Sequence, residues 1–201
     1  DALPHGKPAF IALLKLEYNN GKTEEIVTDD SWSYSFGPVR RNNVYLGEVY
    51  DARKEIEGWG GYEFDATHWN KSMEVQGPGG KLQKAFFPPI QIREVITPFD
   101  IKFTKDKKYI VDMGVNFTGL FSICLQGSSG DTIRFRFGER LYEDGRLNPM
   151  TTVAGQIKEP GKGGPGSPAI AWQTDTYIFG EKTDVCYTPE FTFHTYRYME
   201  I

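Results

Sequence analysis

Basic clusters are scarce in this chain of 201 residues. The longest Lys/Arg runs are Arg40-Arg41 and Lys107-Lys108, and the formal net charge is -4. Nucleic-acid binding needs a positive field that displaces phosphate counterions, so that class is set aside. No apolar run is long enough to cross a bilayer, which argues against a membrane partner. Histidine is rare, and His5, His68 and His194 stand far apart with no HExxH or GxSxG pattern around them. Cysteine is limited to Cys124 and Cys186, too few for a zinc site and too far apart for a CxxC redox pair. Cys124 lies in the apolar run Leu120–Leu125 and reads as a small buried hydrophobe; a bond to Cys186 is left open. A signal peptide is not evident, and the first residue is Asp1 rather than Met. That start suggests processing or a fragment and says nothing of compartment.

What is abundant points to β structure. Aromatics make up 14% of the residues, and 22 Gly and 12 Pro suit many turns between short strands. Residues Ala9–Tyr18 followed by Asn19-Asn20-Gly21-Lys22 predict a hairpin, with Glu24–Thr28 as the returning strand. Val44–Arg53 is again β-like. Trp59, Phe64 and Trp69 follow among glycines and read as loop anchors. Pro88-Pro89 cannot both join a central strand, so a domain junction is expected near residues 88–98. Beyond it, Tyr109–Met113, Leu120–Leu125, Thr176–Phe179 and Phe191–Ile201 read as strands. Thr132–Phe137 alternates cleanly, with Ile133, Phe135 and Phe137 on one face. The stretch Glu159–Pro168 is too rich in Gly and Pro to bury a core and is read as mobile or functional. The predicted architecture is all-β: two antiparallel, jelly-roll-like β-sandwich domains in tandem, 1–90 and 91–201.

One polar constellation stands out, in Gly47-Glu48-Val49-Tyr50-Asp51-Ala52-Arg53. In a strand, Asp51 and Arg53 share one face and Glu48 and Tyr50 the other. The segment is either a cross-strand Asp–Arg stitch at a sheet edge or a polar rim for sugar hydroxyls. Asn42 and Asn43 either form an ordinary turn or supply oxygen ligands to calcium. Trp59 and Trp69 are either core or flat platforms for a sugar ring.

These motifs resemble those of the bacterial α-L-rhamnosidases, which are glycoside hydrolases. Gly37-Pro38-Val39, the segment 47–53 and Gly58-Trp59 resemble the family's amino-terminal domain. The order Asp112-Met113-Gly114-Val115-Asn116-Phe117-Thr118-Gly119 resembles a DxGxNxxG motif in the concanavalin-like sandwich that follows it. Phe137-Gly138-Glu139, Thr174–Ile178 and the closing Phe191–Ile201 continue that pattern; Thr195 departs from an expected glycine.

The resemblance implies a non-catalytic region. The family's catalytic carboxylates belong to a following (α/α) barrel, the implied intramolecular partner, so a self-sufficient glycosidase using Glu48, Asp51 or Glu139 is the remotest alternative. A purely structural interdomain module without a ligand is the nearer one. It also implies an early strand pair before Asp1, whose absence would leave an open sheet edge. By the same resemblance, Asn42, Asn43, Tyr45, Glu48, Asp51, Arg53 and Trp69 are candidate contacts to a rhamnose-containing glycan, with calcium at Asn42 and Asn43. The parent protein is expected to be periplasmic or secreted.

Overall fold

The computed structural model describes residues 9–77, 79, 81–153 and 168–201. The Gly/Pro-rich stretch 159–168 therefore lies, except for Pro168, outside the described residues. The chain forms two compact units, one of residues 1–36 and 57–91, the other of residues 37–56 and 92–201. This division differs from a single junction near residues 88–98, because residues 37–56 belong to the second unit's sheet.

In the first unit, β1 (Leu13–Glu17) and β2 (Thr23–Val27) form the expected hairpin, from Leu13 opposite Val27 to Glu17 opposite Thr23. Gly21, at φ +82°, lets the turn close with its N–H donating to the Tyr18 carbonyl. A short ladder joins β3 (Ser33–Tyr34) to β6 (Asn70–Lys71). Most side chains of this unit face solvent, including Leu13, Leu14 and Val27 on the hairpin and Phe86 and Phe87 on the extended segment after β6. Two strand pairs of this length enclose little apolar surface by themselves.

The second unit is built on a seven-stranded sheet. Its strands are β4 (Val39–Arg41), β5 (Val49–Asp51), β7 (Asp100–Phe103), β8 (Tyr109–Gly119), β10 (Thr132–Gly138), β13 (Thr174–Ile178) and β15 (His194–Glu200). They lie in the order β4-β5-β13-β10-β15-β8-β7. Every neighbouring pair is antiparallel except β5 and β13, which run parallel with Tyr50 opposite Tyr177. The sheet is therefore mixed rather than purely antiparallel. Between β10 and β13, β11 (Arg140–Leu141) and β12 (Leu147–Asn148) make a small ladder.

The alternation of Thr132–Phe137 holds in β10: Phe135 and Phe137 are fully buried and Ile133 packs against them. They meet Tyr177, Phe179, Tyr196 and Met199 from the neighbouring strands. A second layer covers this face. Strand β9 (Ile123–Gln126) pairs antiparallel with β14 (Asp184–Tyr187) and sends Ile123, Leu125, Val185 and Tyr187 into the core. Cys124 is consequently not buried. With Ile123 and Leu125 inward, period-two geometry turns it outward, opposite Cys186, and the two are disulfide-bonded. On the outer face of β15, the Thr195 hydroxyl lies 2.7 Å from that of Thr118. Among the described residues the only helices are two single 3-10 turns, and none is long and apolar enough to cross a membrane.

Candidate functional site

The segment expected to form a continuous strand over residues 44–53 is broken up. Residues 43–47 make a tight turn, only Val49–Asp51 is strand, and Ala52–Lys54 is a 3-10 turn. Asn43 organises the first turn: its carbonyl accepts from the Leu46 and Gly47 N–H groups, and its side-chain oxygen accepts from the Tyr45 N–H at 2.8 Å. Gly47 then adopts φ +84°, a conformation that an L side chain resists. A Cβ there would lie 2.5 Å from Asp175 Oδ1 and closer still to the Thr174 carbonyl oxygen.

This turn delivers Glu48 into the protein, where it is 1% exposed. Its Oε1 accepts from the Tyr187 hydroxyl at 2.9 Å, and its Oε2 accepts from the backbone N–H groups of Glu190 and Phe191 at 3.3 and 3.2 Å. The Glu48 N–H donates to Asp175 Oδ1 at 2.8 Å. The other Asp175 oxygen accepts from Nε2 of His194 at 2.9 Å, and Nδ1 of His194 lies 2.9 Å from the Gln173 side-chain amide. The His194 ring stacks on Phe137 with centroids 3.9 Å apart. A buried charge is tolerated only when its lone pairs are matched by donors, and this network supplies them. Burial first, then the Glu48 carboxylate it faces, pushes the Tyr187 hydroxyl well above the ordinary phenol range.

Asp51 also turns inward. It caps the 3-10 turn, and its two oxygens accept from Nε and Nη2 of Arg53, both at 2.8 Å. That guanidinium holds the Asp51 carboxyl below the usual range, outweighing the upward push of burial. The pair is local, two residues apart, and not the cross-strand stitch expected from a regular strand. Of the other candidates, Asn42 and Tyr45 are exposed, Tyr45 at 48%. Trp69 belongs to the first unit, half-buried and edge-on to Phe64, while Trp59 is 66% exposed. At the Asn42–Asn43 segment, Asn43 Oδ1 accepts from the Tyr45 N–H within its own turn. Among the described residues, no three His, Cys, Asp or Glu side chains gather as metal ligands.

The inward network also contains groups that sequence reasoning had not joined. Asp175, Tyr187 and His194 lie more than a hundred residues from Glu48. Their one signal is a polar residue at an inward position of an alternating strand, Asp175 beside Tyr177 and His194 beside Tyr196.

Two family models divide the chain. The Alpha-L-rhamnosidase N-terminal domain matches residues 2–94, and the Bacterial alpha-L-rhamnosidase concanavalin-like domain matches residues 102–201. The chain belongs to the α-L-rhamnosidase family. An Alpha-L-rhamnosidase of Streptomyces avermitilis is 29% identical over 199 residues, which are 97% of this chain and 18% of that protein. The solved α-L-rhamnosidase from Dictyoglumus thermophilum superposes with a TM-score of 0.82 at 37% identity, covering 94% of this chain and 20% of that one. The crystal structure of Streptomyces avermitilis α-L-rhamnosidase complexed with L-rhamnose gives 0.82 at 28% identity, covering 94% and 17%. The chain thus spans about a fifth of the length of these relatives. In this chain the motif Gly47–Arg53 ties β5 to β13 and to the loop before β15.

Proposed function

We propose that this chain is a non-catalytic accessory region of a longer α-L-rhamnosidase, a β scaffold that supports the catalytic part. The observation that carries this reading is the inward direction of the motif's carboxylates. Glu48 has its oxygens filled by Tyr187 and two backbone N–H groups, and Asp51 is filled by Arg53. Neither has a free face for a glycosidic oxygen or a sugar hydroxyl, as acid, base or contact residues require. Their geometry serves to fix the parallel strand β5 to the rest of the sheet.

The implied partner is the (α/α) barrel that the family resemblance places after this region. The exposed Cys124–Cys186 disulfide supports an extracytoplasmic setting, where such bonds persist. Sugar capture at Asn42–Arg53 is the finer possibility, supported by the exposed Tyr45 ring beside Asn42 and opposed by the burial of Glu48.

The test uses the longer Streptomyces avermitilis relative with and without the segment that this chain matches. Loss of soluble yield and of several degrees in melting temperature on deletion is expected. An unchanged melting curve would remove the scaffold role.

A further inference from the structure

Strand β8 does not pair evenly with β15. Phe117 faces Tyr196 and Asp112 faces Tyr198, so residues 113–116 of β8 stand opposite Arg197 alone. A bulge of this size re-aims the side chains it carries. Gly114 permits it at φ +79°, and Asp112 clamps it. One oxygen of Asp112 accepts from the Gly114 N–H at 2.7 Å and from Nε of Arg197 at 2.8 Å, and the other accepts from Nη2 of Arg197 at 3.0 Å. The Arg197 guanidinium lies over the Tyr198 ring, 4.9 Å from its centroid. The DxGxN motif thus has a mechanical meaning: Asp112 and Gly114 build the bulge, and Asn116 is what it presents.

Beside the bulge is an open concavity of about 420 Å³, lined by Asn116, Glu139, Arg140, Leu141, Arg197 and Tyr198. Three stretches that the scaffold reading leaves unused converge here: Asn116 from β8, Glu139 and Arg140 from the step between β10 and β11, and the Arg197–Tyr198 pair from β15. No ion pair among the described residues engages Glu139 or Arg140, and Asn116 and Arg140 are exposed.

We propose that this concavity is a binding subsite for a neutral glycosyl residue. The charges that form it cancel, Glu139 against Arg140 and Asp112 against Arg197. An anion would meet the Glu139 carboxylate, and a cation the Arg140 guanidinium. A neutral polyol satisfies both, since each hydroxyl donates to a carboxylate and accepts from a guanidinium or amide. Planar carboxylate, amide and guanidinium groups can each address two neighbouring ring hydroxyls. The clamp by Asp112 fixes the floor beforehand, so little ordering is left for the moment of binding. The volume lies within the usual range for small-ligand sites, roughly 300–1,000 Å³. This inference goes beyond the scaffold role and does not depend on it; the family enters only in the choice of probe.

The experiment titrates methyl α-L-rhamnopyranoside into the whole chain, followed by calorimetry and by backbone amide shifts, with and without a chelator. The expected result is saturable binding that the chelator leaves unchanged, with the largest shifts at Asn116, Glu139 and Tyr198. Glu139→Gln and Arg140→Met should each weaken binding at least tenfold while the melting temperature stays that of the unaltered chain. No saturable binding overturns the proposal. So does binding that both variants retain, or binding that the chelator abolishes, which would locate the sugar elsewhere. None of these outcomes bears on the deletion test of the scaffold role.

Discussion

Gly47 concentrates the local demands of the inward network. Its positive φ and the closeness of Thr174 and Asp175 leave no place for a methyl group. Gly47→Ala is expected to cost about 2 kcal/mol or more, from the left-handed backbone and the overlap together. Urea unfolding of the variant beside the unaltered chain measures it. Tyr187 makes a second prediction, about pH. In the unfolded chain a tyrosine ionises near pH 10 (about its ordinary value), whereas burial and the Glu48 carboxylate raise it in the folded protein. The resulting stability is complete below pH 10 and is lost as pH rises towards the raised value, because only the unfolded chain can release the proton. Thermal melts from pH 8 to 11 should show this fall, to which Tyr50, Tyr177 and Tyr196, also raised chiefly by burial, contribute, and Tyr187→Phe should lessen it. Residue types alone do not reveal these roles. Glu48 reads as a rim residue because its three partners come from positions 187, 190 and 191, which only the folded sheet brings near.

At the level of elements, period-two patterning was readable wherever a strand has one buried face. Strand β10 and the β1–β2 hairpin follow their alternation and turn chemistry closely. Where the backbone leaves regular geometry, the reading failed. Val44–Arg53 contains two turns around a three-residue strand, and an Asp side chain capping a 3-10 turn mimics a strand-face pair. Cys124 misled for another reason: β9 is half-covered, so its apolar run conceals one outward position. The outward Cys124–Cys186 bond pins the layer that covers the aromatic core, and it closes a sequence separation of 62 residues. Its loss should remove roughly 2–4 kcal/mol. Because both sulfurs belong to exposed residues, a dithiol reductant should lower the melting temperature without prior denaturation. A Cys124→Ser/Cys186→Ser variant should melt at that lower temperature and ignore the reductant. Equal melting of the oxidised and reduced chains would show that the core layer holds without its pin.

Across the whole molecule, the all-β class and the family were legible from motif order. The two family models also meet near the expected junction, between residues 94 and 102; what the sequence did not announce is that residues 37–56 join the second unit's sheet. Residues 37–56 leave the first unit because β5 finds its partner in β13, more than a hundred positions on, and no local signal announces a parallel pairing at that distance. The first unit keeps large apolar side chains such as Phe86 and Ile90 in solvent, whereas the second encloses a continuous aromatic core. The central claim is that the carboxylates of this chain hold a scaffold together and perform no hydrolysis. The most direct measurement is the rate of aryl α-L-rhamnoside cleavage by the purified chain alone, with Glu139→Gln as a parallel sample. The account predicts no turnover above the buffer rate in either. Turnover by the unaltered chain that Glu139→Gln abolishes would contradict it and put an active site in the concavity beside β8.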